Sequence, residues 1–537
     1  MRPTISLFVR VGLLLGVVLG TGLLVTWAIH SRASAATISP VLTYKYDTSR
    51  TGRNSNETIL NTGNVNGTQF GRRVSYPVDG QVYAEPLFMP GLTISGHTHN
   101  VVFVETEHDS VYAFDADQKS AIAPLWHTSF LINGAKTVSS SDVNCSDISP
   151  QYGITGTPVI DPASATLYVV AYTNENGTLI YRLHALNITT GQNKVTPVVI
   201  TASVKGTGDG SVNGVITFNP VHQLQRGALL LLNGTIYITF GSHCDLFPFH
   251  GWLLAYNSST LQHSATYNDS RNGSNSGIWE AGNGPATDTS GNIFLATGNG
   301  NFDLNSGGVD AGDTMLKLST TNGAITRAGY FTPFNQSCLN PKDFDLGSGG
   351  VLLLPNTNEL VQAGKEGRIY VVNRTNMGKY TVDPNLRCGT SEENRTDIDN
   401  IVQELAPGTI GGMWSSPAYW NGPNGNYVYF SGSGDHTKAF KLTNGKLSTS
   451  PTSHTPETSG FPGANPVISS NGTTAGTGIL WEVDSSKTLR AYNAANLATR
   501  LFSGSIPSYV KFSVPTVANG RVFVGTQSTL EIYGLLN

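Results

Sequence analysis

Four ionisable side chains lie within five positions near the start of the chain. The stretch VFVETEHDSVYAFDAD, residues 102–117, contains Glu105, Glu107, His108 and Asp109 directly before a run with strand character. Carboxylates beside a histidine can exchange protons in acid/base catalysis or bind a metal ion. The cluster is therefore either a self-contained site or one loop of a repeated structural unit.

A second possibility is a zinc or iron site formed by histidines and aspartates that are distant in the chain. The candidates are His108, His243, His250, His436, Asp109, Asp245 and Asp435. The HxH pattern of His97 and His99 in GHTHN is typical of a hairpin tip, and no HxxxH pattern occurs. We therefore favour a solvated polar rim over a metal centre. A serine hydrolase is not indicated, because the sequence lacks GxSxG.

The composition favours a large all-β protein. The chain has 537 residues, and no Pro-rich, Ser-rich or charged linker divides it. Gly (60) and Pro (26) are abundant while charged residues make up only 13%, which favours many short strands and turns over helices. The net charge is −4 and no Lys/Arg block lies beyond the leader, so we expect no nucleic-acid partner.

The first 36 residues have the pattern of an export signal. Arg2 and Arg10 precede an uncharged run over 11–29, and ASAA follows at 33–36. A basic start, an apolar core and a small-residue site predict a cleaved secretory signal peptide. Because the apolar run approaches the length of a membrane span, the alternative is an uncleaved N-terminal membrane anchor. In either case we expect the remainder to be secreted, periplasmic or at the cell surface.

One short unit recurs eight times along the rest of the chain. Its end appears as VYAFDAD, LHALNITTG, LLAYNSSTL, LKLSTTNG, YVVNRTNMG, AFKLTNGKL, LRAYNAANL and LEIYGLLN. Each end follows a strand such as NVVFVE or RVFVGT, and a weaker outer strand comes next, as in APLWHTSF. Four-stranded antiparallel units repeated radially are the blades of a β-propeller. Residues 37–537 are therefore predicted to form a single all-β, eight-bladed propeller, whose ring is closed by an N-terminal strand over 70–78.

This architecture assigns the charged loops to one face. Loops between the second and third strands emerge at the same channel mouth as the loops between blades, and the opening cluster belongs to them. We expect the following residues to form a solvated rim there: Glu107, His108, Asp109, His243, Asp435 and His436. The channel mouth is the default binding site of a closed radial fold.

The four cysteines predict disulfide bonds. Cys145, Cys244, Cys338 and Cys388 form no CxxC motif, and their even number fits an oxidising compartment. Three pairings are possible; Cys145 with Cys244 is favoured because both loops reach the same face, which leaves Cys338 with Cys388. No CxxCH motif occurs, so no c-type haem is expected on this chain.

Together the eight units resemble the pyrroloquinoline quinone (PQQ) repeat of quinoprotein alcohol dehydrogenases over roughly residues 40–537. In GIWEAGNGPATDTSGNIFLATGN the resemblance implies that Trp279 is the floor on which the quinone stacks and that Asn299 is a calcium ligand. In PKDFDLGSGG it implies that Asp345 is the catalytic base, and in AGKEGRIYVVNRTNMG that Lys365 contacts the quinone oxygens. In GGMWSSPAYW it places Trp414 at the far side of the cofactor.

The chain also departs from this family pattern. The family's adjacent cysteine pair has no counterpart in VNCSDISPQYG, which holds only Cys145, and the arginine expected shortly afterwards is missing. The calcium-binding glutamate expected in the third blade falls within HCDLFPFHGW, where Asp245 is the nearest carboxylate. A shorter acid can still bind calcium through its oxygens.

Two functions follow from these observations. The first is an exported dehydrogenase that uses PQQ and calcium to oxidise an alcohol or sugar hydroxyl and passes the electrons to a separate acceptor. The second is a propeller without cofactor that binds a protein or glycan at its channel face as a scaffold outside the cell. A membrane is expected to be involved only through the possible N-terminal anchor.

Overall fold

The computed structural model of the protein describes residues 38–536, and these form the predicted eight-bladed β-propeller. The expected signal peptide or anchor, residues 1–36, lies outside the described residues. Within 38–536 no helix is long and apolar enough to cross a membrane.

Blades 1 to 4 each begin with an inner strand and continue outward by antiparallel pairing. Blade 1 contains Leu87–Ile94, His97–Glu105, Ser110–Asp115 and Trp126–Ser129. Blade 2 contains Val159–Asp161, Thr166–Glu175, Thr178–Asn187 and Val198–Val199, with Lys136–Ser139 and Gln151–Tyr152 added to its sheet. A separate hairpin, Ser203–Lys205 with Val215–Thr217, follows it. Blade 3 contains Leu230–Leu232, Thr235–Ser242, Trp252–Asn257 and His263–Asn268, together with Gln223–Leu224. Blade 4 contains Ala286–Thr287, Ile293–Ala296, Met315–Ser319 and Thr326–Thr332, with Lys379–Tyr380 parallel to the last.

Blades 5 to 8 repeat this arrangement. Blade 5 contains Leu352–Leu353, Glu359–Ala363, Ile369–Asn373 and Gln403–Leu405. Blade 6 contains Ala418–Gly422, Gly425–Ser431, Asp435–Thr443, Lys446–Leu447 and Ser453–Ser459. Blade 7 contains Val467–Ser469, Ile479–Asp484, Thr488–Asn493 and Arg500–Ser505, with Arg53–Asn54 parallel to its inner strand. Blade 8 contains Thr516–Ala518, Arg521–Gly525 and Thr529–Leu535, with Phe70–Pro77 as its outer strand. The helices of residues 38–536 are single turns: Glu280–Gly282, Leu304–Ser306, Thr321–Gly323, Gln336–Leu339, Asn340–Lys342, Leu346–Ser348 and Ser391–Asn394.

The second strand of each blade is apolar because it is covered on both sides. In blade 1 all four residues of the run 101–104, VVFV, are fully buried. One core cluster joins Val102 of blade 1 to Val169 of blade 2 and Phe523 of blade 8. The β-branched and aromatic side chains that mark the repeat therefore pack between neighbouring blades as well as within them.

The last blade contains strands from the two ends of the propeller. Phe70–Pro77 runs antiparallel to Thr529–Leu535, with Phe70 opposite Leu535 and Pro77 opposite Thr529. This pairing covers an edge that would otherwise be exposed. Closure of the ring by this strand stays a prediction of the sequence, which the pairing supports.

A feature that the sequence did not reveal is the segment 41–57, here called the axial segment, which crosses the propeller centre. It makes hydrogen bonds at the inner strands of the blades, using mainly backbone groups. Val41 and Phe88 exchange two backbone hydrogen bonds, and the other bonds are donated by blade N–H groups to the segment: Ile160 to Leu42, Thr287 to Thr48, Leu353 to Ser49, Tyr419 to Thr51, Ile468 to Gly52 and Val517 to the Tyr46 hydroxyl. Blade 3 is reached through the Arg50 side chain, whose Nη2 donates to the Leu229 carbonyl at 3.4 Å. The axial segment therefore joins all eight blades.

Two fully buried cations anchor the axial segment. The Arg50 guanidinium donates to the carbonyls of Pro285 (3.0 Å) and Tyr44 (3.1 Å) in addition to Leu229. The Lys45 ammonium donates to the Ser416 and Pro466 carbonyls of blades 6 and 7. Since buried carbonyls that lose their donors are costly, these two side chains fix the segment in one position.

We expect Arg50→Met to destabilise the propeller by about 3 kcal/mol or more, because it leaves several buried acceptors without donors. Equilibrium urea unfolding measures the loss. The control is Arg387→Met, at an exposed position. Equal unfolding midpoints for Arg50→Met and the control would contradict the proposed role of Arg50.

Candidate functional site

Loops from most blades surround a cavity of about 290 Å³, here called the mouth cavity. Its lining residues are Asp147, Leu224, Arg226, Ser242, Cys244, Asp245, Trp279, Asp343, Asp345, Lys365, Trp414, Phe461, Lys511 and Phe512. An adjoining cavity of about 280 Å³ shares Asp245, Trp279, Asp343 and Asp345 and adds Asn299. The structure thus brings together all six residues that the sequence assigned to a base, a cofactor site or a metal site.

Asp345 lies at the centre of a compact charged cluster. Its carboxylate contacts the Lys365 ammonium at 2.6 Å and accepts a hydrogen bond from the backbone N–H of Asn299 at 2.7 Å. Lys365 also contacts Asp343 at 2.9 Å. Burial raises the pKa of Asp345 above its ordinary value, although the Lys365 charge opposes that shift. Burial lowers the pKa of Lys365, but the two carboxylates outweigh it and the net shift is upward.

Close approach of three chain segments produces this cluster. A Cβ on Gly298 would lie 2.6 Å from the Asp345 carboxylate and 3.4 Å from Nε1 of Trp279. A Cβ on Gly364 would lie 2.5 Å from the Asp345 carbonyl. Only glycine leaves enough space at these two positions. The glycines of ATGN and AGKEG therefore have a physical role in bringing Trp279, Asp345 and Lys365 together.

Trp279 is held by a strained loop. The two residues after it, Glu280 (φ 40°) and Ala281 (φ 51°), have left-handed backbone conformations that are unfavourable for residues other than glycine. The preceding residue is fixed by a hydrogen bond from the Ile278 N–H to the Phe240 carbonyl at 3.1 Å. The Trp279 side chain remains partly exposed within the cavity. Such strain is typical of functional sites and here presents one flat aromatic surface to the cavity.

Trp414 contributes a second aromatic surface. Its ring packs edge-on against Phe461, with centroids 5.3 Å apart, and the Lys365 ammonium lies 6.0 Å from its centre. Phe461 and Phe512 extend the apolar lining. The mouth cavity therefore combines aromatic surfaces with charged groups, as small-molecule sites do.

Asn299 offers a buried oxygen that lacks a partner. Its side-chain amide donates to Asp343 Oδ1 at 3.0 Å, while its own Oδ1 is buried and has no hydrogen-bond partner among the described residues. Asp245 lines the same cavity, is exposed, and accepts a hydrogen bond from Ser242 Oγ at 2.7 Å. An unpaired carbonyl oxygen close to carboxylates matches the ligands that calcium prefers.

Both predicted disulfide bonds are confirmed. Cys145 is bonded to Cys244 and Cys338 to Cys388. The first bond ties the loop after blade 1 to the loop that carries Asp245, and Cys244 lines the mouth cavity. The second ties the helical turn before Asp345 to the loop after blade 5's third strand.

The prediction of a solvated rim is wrong for three of its residues. Glu107 and Asp109 are fully buried, since Glu107 accepts hydrogen bonds from Gly153 N–H (2.7 Å) and Thr155 Oγ1 (3.1 Å) and Asp109 from Tyr172 N–H (3.0 Å). His243 is also fully buried. Glu107 and Asp109 therefore turn inward and accept hydrogen bonds from groups in or next to blade 2, while Nε2 of His243 lies 3.4 Å from the Tyr181 hydroxyl of blade 2. All three side chains join neighbouring blades instead of facing solvent.

The other three rim residues are partly exposed. His108 lies against Gln151, and Asp435 forms an ion pair of 2.7 Å with Lys438 beside His436. Among residues 38–536, each group of three potential metal ligands contains a disulfide-bonded cysteine pair. The histidines and aspartates proposed for zinc or iron therefore do not converge within the described part of the chain.

Several cavity residues were missed by the sequence argument. Arg226, four residues before the inner strand of blade 3, lines the cavity, as do Lys511 and Phe512 from the loop before blade 8. Asp147 lies beside Lys511 at 3.5 Å. A cation just before the apolar run ALLLL was the available signal for Arg226, because no Lys or Arg lies within four residues before the other inner strands.

Comparison with known proteins gives relatives by fold alone. No family model matches the chain, and no curated protein matches it. Among solved structures, the quinohemoprotein alcohol dehydrogenase of Comamonas testosteroni superimposes with a TM-score of 0.59 at 14% identity, covering 92% of this chain and 80% of that one. The chain therefore shares the propeller fold of that enzyme. Quinohemoprotein alcohol dehydrogenase ADHIIG of Pseudomonas putida HK5 gives 0.58 at 14% identity, with coverage of 92% and 80%. A europium-containing methanol dehydrogenase gives 0.58 at 12% identity, with coverage of 92% and 98%.

We expect the buried carboxyl group of Glu105 to make the free energy of unfolding depend on pH. It is fully buried, neither oxygen has a hydrogen-bond partner among the described residues, and burial raises its pKa to about 8. In the unfolded chain the pKa of this carboxyl group is near 4.3. Because its pKa is higher in the folded protein, the group contributes fully to the free energy of unfolding at low pH, and that contribution is lost as the pH rises towards 8.

We therefore expect Glu105→Gln to be more stable than the unmutated protein at high pH. The gap in unfolding free energy should grow by up to about 1.4 kcal/mol per pH unit between about pH 5 and pH 8. Urea unfolding across this range measures it, with Glu359→Gln at a partly exposed position as the control. Parallel pH profiles for Glu105→Gln and the unmutated protein would show that Glu105 is not a buried neutral acid.

Proposed function

We propose that the protein is an exported quinoprotein dehydrogenase that binds PQQ and a calcium ion in the mouth cavity and oxidises an alcohol or sugar hydroxyl. One observation carries this proposal: the buried Asp345 carboxylate lies between a cation, Lys365, and the backbone of Asn299, whose side-chain oxygen is unpaired. This combination occurs beside the partly exposed aromatic surface of Trp279.

The residues of the cavity fit PQQ chemically. PQQ is a planar tricyclic quinone with carboxyl groups, and Trp279 and Trp414 offer flat surfaces against which such a ring can pack. Lys365 and Arg226 supply positive charge for its oxygens. The family's adjacent cysteine pair is replaced here by the bond between Cys145 and Cys244 at the same cavity.

The residues also fit a calcium ion. Oδ1 of Asn299 is the free acceptor, and the carboxylates of Asp345, Asp343 and Asp245 are the available anionic oxygens. Bound calcium would favour ionisation of these acids and would compete with Lys365 for their charge.

In the proposed reaction Asp345 accepts the proton of the substrate hydroxyl. PQQ, when bound, supplies the carbonyl carbon that accepts hydride from the alcohol carbon. Because burial makes Asp345 a stronger base than an exposed aspartate while Lys365 favours its charged form, the group is suited to general-base catalysis. Lys365 would supply positive charge to stabilise quinone oxygens that become more negative during the reaction.

Residues 1–36 direct export and are removed or anchor the chain, and residues 37–537 form the propeller. The two disulfide bonds favour an oxidising compartment. Electrons pass to a separate acceptor.

A scaffold without cofactor is the second candidate, and one observation favours it. Lys365 contacts both Asp343 and Asp345, so the charge that would attract a metal ion is already partly balanced by the protein. In that case the channel face would bind a protein or glycan ligand.

The deciding experiment titrates the purified protein with PQQ in the presence of calcium and follows tryptophan fluorescence and dye-linked alcohol oxidation. We expect micromolar or tighter binding that Trp279→Ala weakens by about tenfold or more, because the flat surface is lost. Asp345→Asn should retain PQQ binding and lower kcat by about 10²- to 10⁴-fold, because the base is removed.

Trp126→Phe in blade 1 and Asp161→Asn in blade 2, neither of which lines the cavity, are the controls. Near-UV circular dichroism checks that each variant is folded. Absence of binding at micromolar PQQ with calcium would refute the dehydrogenase proposal and leave the scaffold.

A further inference from the structure

The Arg226 guanidinium is a buried cation without a counter-ion. The residue is only 4% exposed, and its Nη2 is buried without a hydrogen-bond partner. Within residues 38–536 no carboxylate lies within 4 Å of it, and no protein acceptor takes a hydrogen bond from its other nitrogens. Arginine side chains at such depth are normally paired, because an unpaired buried charge is costly.

Aromatic contacts hold this cation in place. Its Cζ lies 3.9 Å from the ring centre of Phe512 and 5.9 Å from that of Trp279. The neighbouring backbone is fixed by hydrogen bonds from Ala228 N–H to the Gly282 carbonyl and from Leu229 N–H to the Thr157 carbonyl. The guanidinium is therefore positioned by the inner strand of blade 3 and by stacking, with its hydrogen-bond donors unused.

Neighbouring acids are already engaged elsewhere. Glu107 accepts hydrogen bonds from Gly153 and Thr155, and Asp147 contacts Lys511 at 3.5 Å. Burial lowers the pKa of Arg226, and the more distant charges of Asp147 and Glu107 only oppose that shift. The positive charge at this end of the cavity is thus incompletely balanced by the protein.

The two ends of the cavity differ in charge. Arg226 lies 5.9 Å from the centre of the Trp279 ring, and both Arg226 and Lys511 contact Phe512. Asp345 with its partner Lys365 instead lies close to Nε1 of Trp279. A ligand that lies against Trp279 can meet the unpaired Arg226 guanidinium, with Lys511 near it, and also the proposed base.

We propose that Arg226 and Lys511 bind a carboxylate of the cavity's ligand and thereby orient a planar anion across Trp279. The inference deepens the proposed function, since PQQ is one such anion, but it requires only an aromatic ligand that carries a carboxylate. Two donors of the Arg226 fork can reach the two oxygens of one carboxylate, which gives orientation as well as affinity.

The test uses Arg226→Met, which keeps much of the side-chain volume and removes the charge. Three probes are titrated by isothermal calorimetry with calcium present: PQQ, its trimethyl ester and pyridine-2,6-dicarboxylate. The melting temperature of each protein without ligand is the second readout. Lys119→Met, the same charge change at an exposed position, is the control.

For the unmutated protein and the control we expect the affinity for PQQ to exceed that for its ester by a factor of about ten or more. In Arg226→Met this preference should disappear, because PQQ loses affinity and the ester does not. The melting temperature of Arg226→Met without ligand should rise, because an unpaired buried charge has been removed.

Other outcomes separate this inference from the proposed function. If PQQ fails to bind but pyridine-2,6-dicarboxylate binds in an Arg226-dependent way, the anion site stands and the dehydrogenase proposal falls. If Arg226→Met keeps the preference for PQQ over the ester and melts at a lower temperature, Arg226 is only a packing residue and the inference is overturned. Failure of both carboxylate probes to bind the unmutated protein overturns it as well.

Discussion

The structure depends on hydrogen bonds between the axial segment, residues 41–57, and the inner strands of the blades. Inner strands leave an edge at the propeller centre whose polar backbone groups need partners. Carbonyls of Thr48, Ser49, Thr51 and Gly52 take these bonds from blades 4, 5, 6 and 7 in turn. One stretch of chain therefore sets the positions of all the inner strands together, and the loops that form the mouth cavity follow from those positions.

The axial segment also fixes the loop that carries Trp279. Arg50 donates to the Pro285 carbonyl, at the end of the strained loop that begins after Trp279, and its charge lies near the buried Glu280 carboxyl. A small cavity of about 10 Å³ separates Tyr44 of the axial segment from Arg226 and Phe512. Strain at Glu280 and Ala281 can persist because their surroundings are fixed on both sides. The aromatic surface of Trp279 is thus a consequence of packing that begins at the propeller axis.

Much of the fold was predictable because it repeats. The recurrent strands, and the recurrent last part of each repeated unit such as AYNS, specify the blades. Because blade 8 lacks its own last strand, an outer strand near Phe70 could be predicted as well. The resemblance to the PQQ repeat implied that Trp279, Asp345 and Lys365 share one site, and all three line the mouth cavity. The axial segment was not predictable, because it occurs once and carries no repeated pattern.

The sequence also could not show whether a side chain in a loop is buried or exposed. The pattern located Glu107 and Asp109 in a loop at the channel face, but whether a carboxylate turns inward depends on donors such as the N–H of Gly153 and Tyr172 in another blade. Arg226 was missed for the related reason that its partners, Phe512 and Trp279, are brought to it only by the closed ring.

A crystal structure of the protein grown with PQQ and calcium tests the central claim most directly. The account predicts the quinone ring against Trp279, a carboxylate on Arg226 and the cation bound to Oδ1 of Asn299. A quinone bound elsewhere, or a mouth cavity that holds only water with the Asp345–Lys365 pair unchanged, would contradict it.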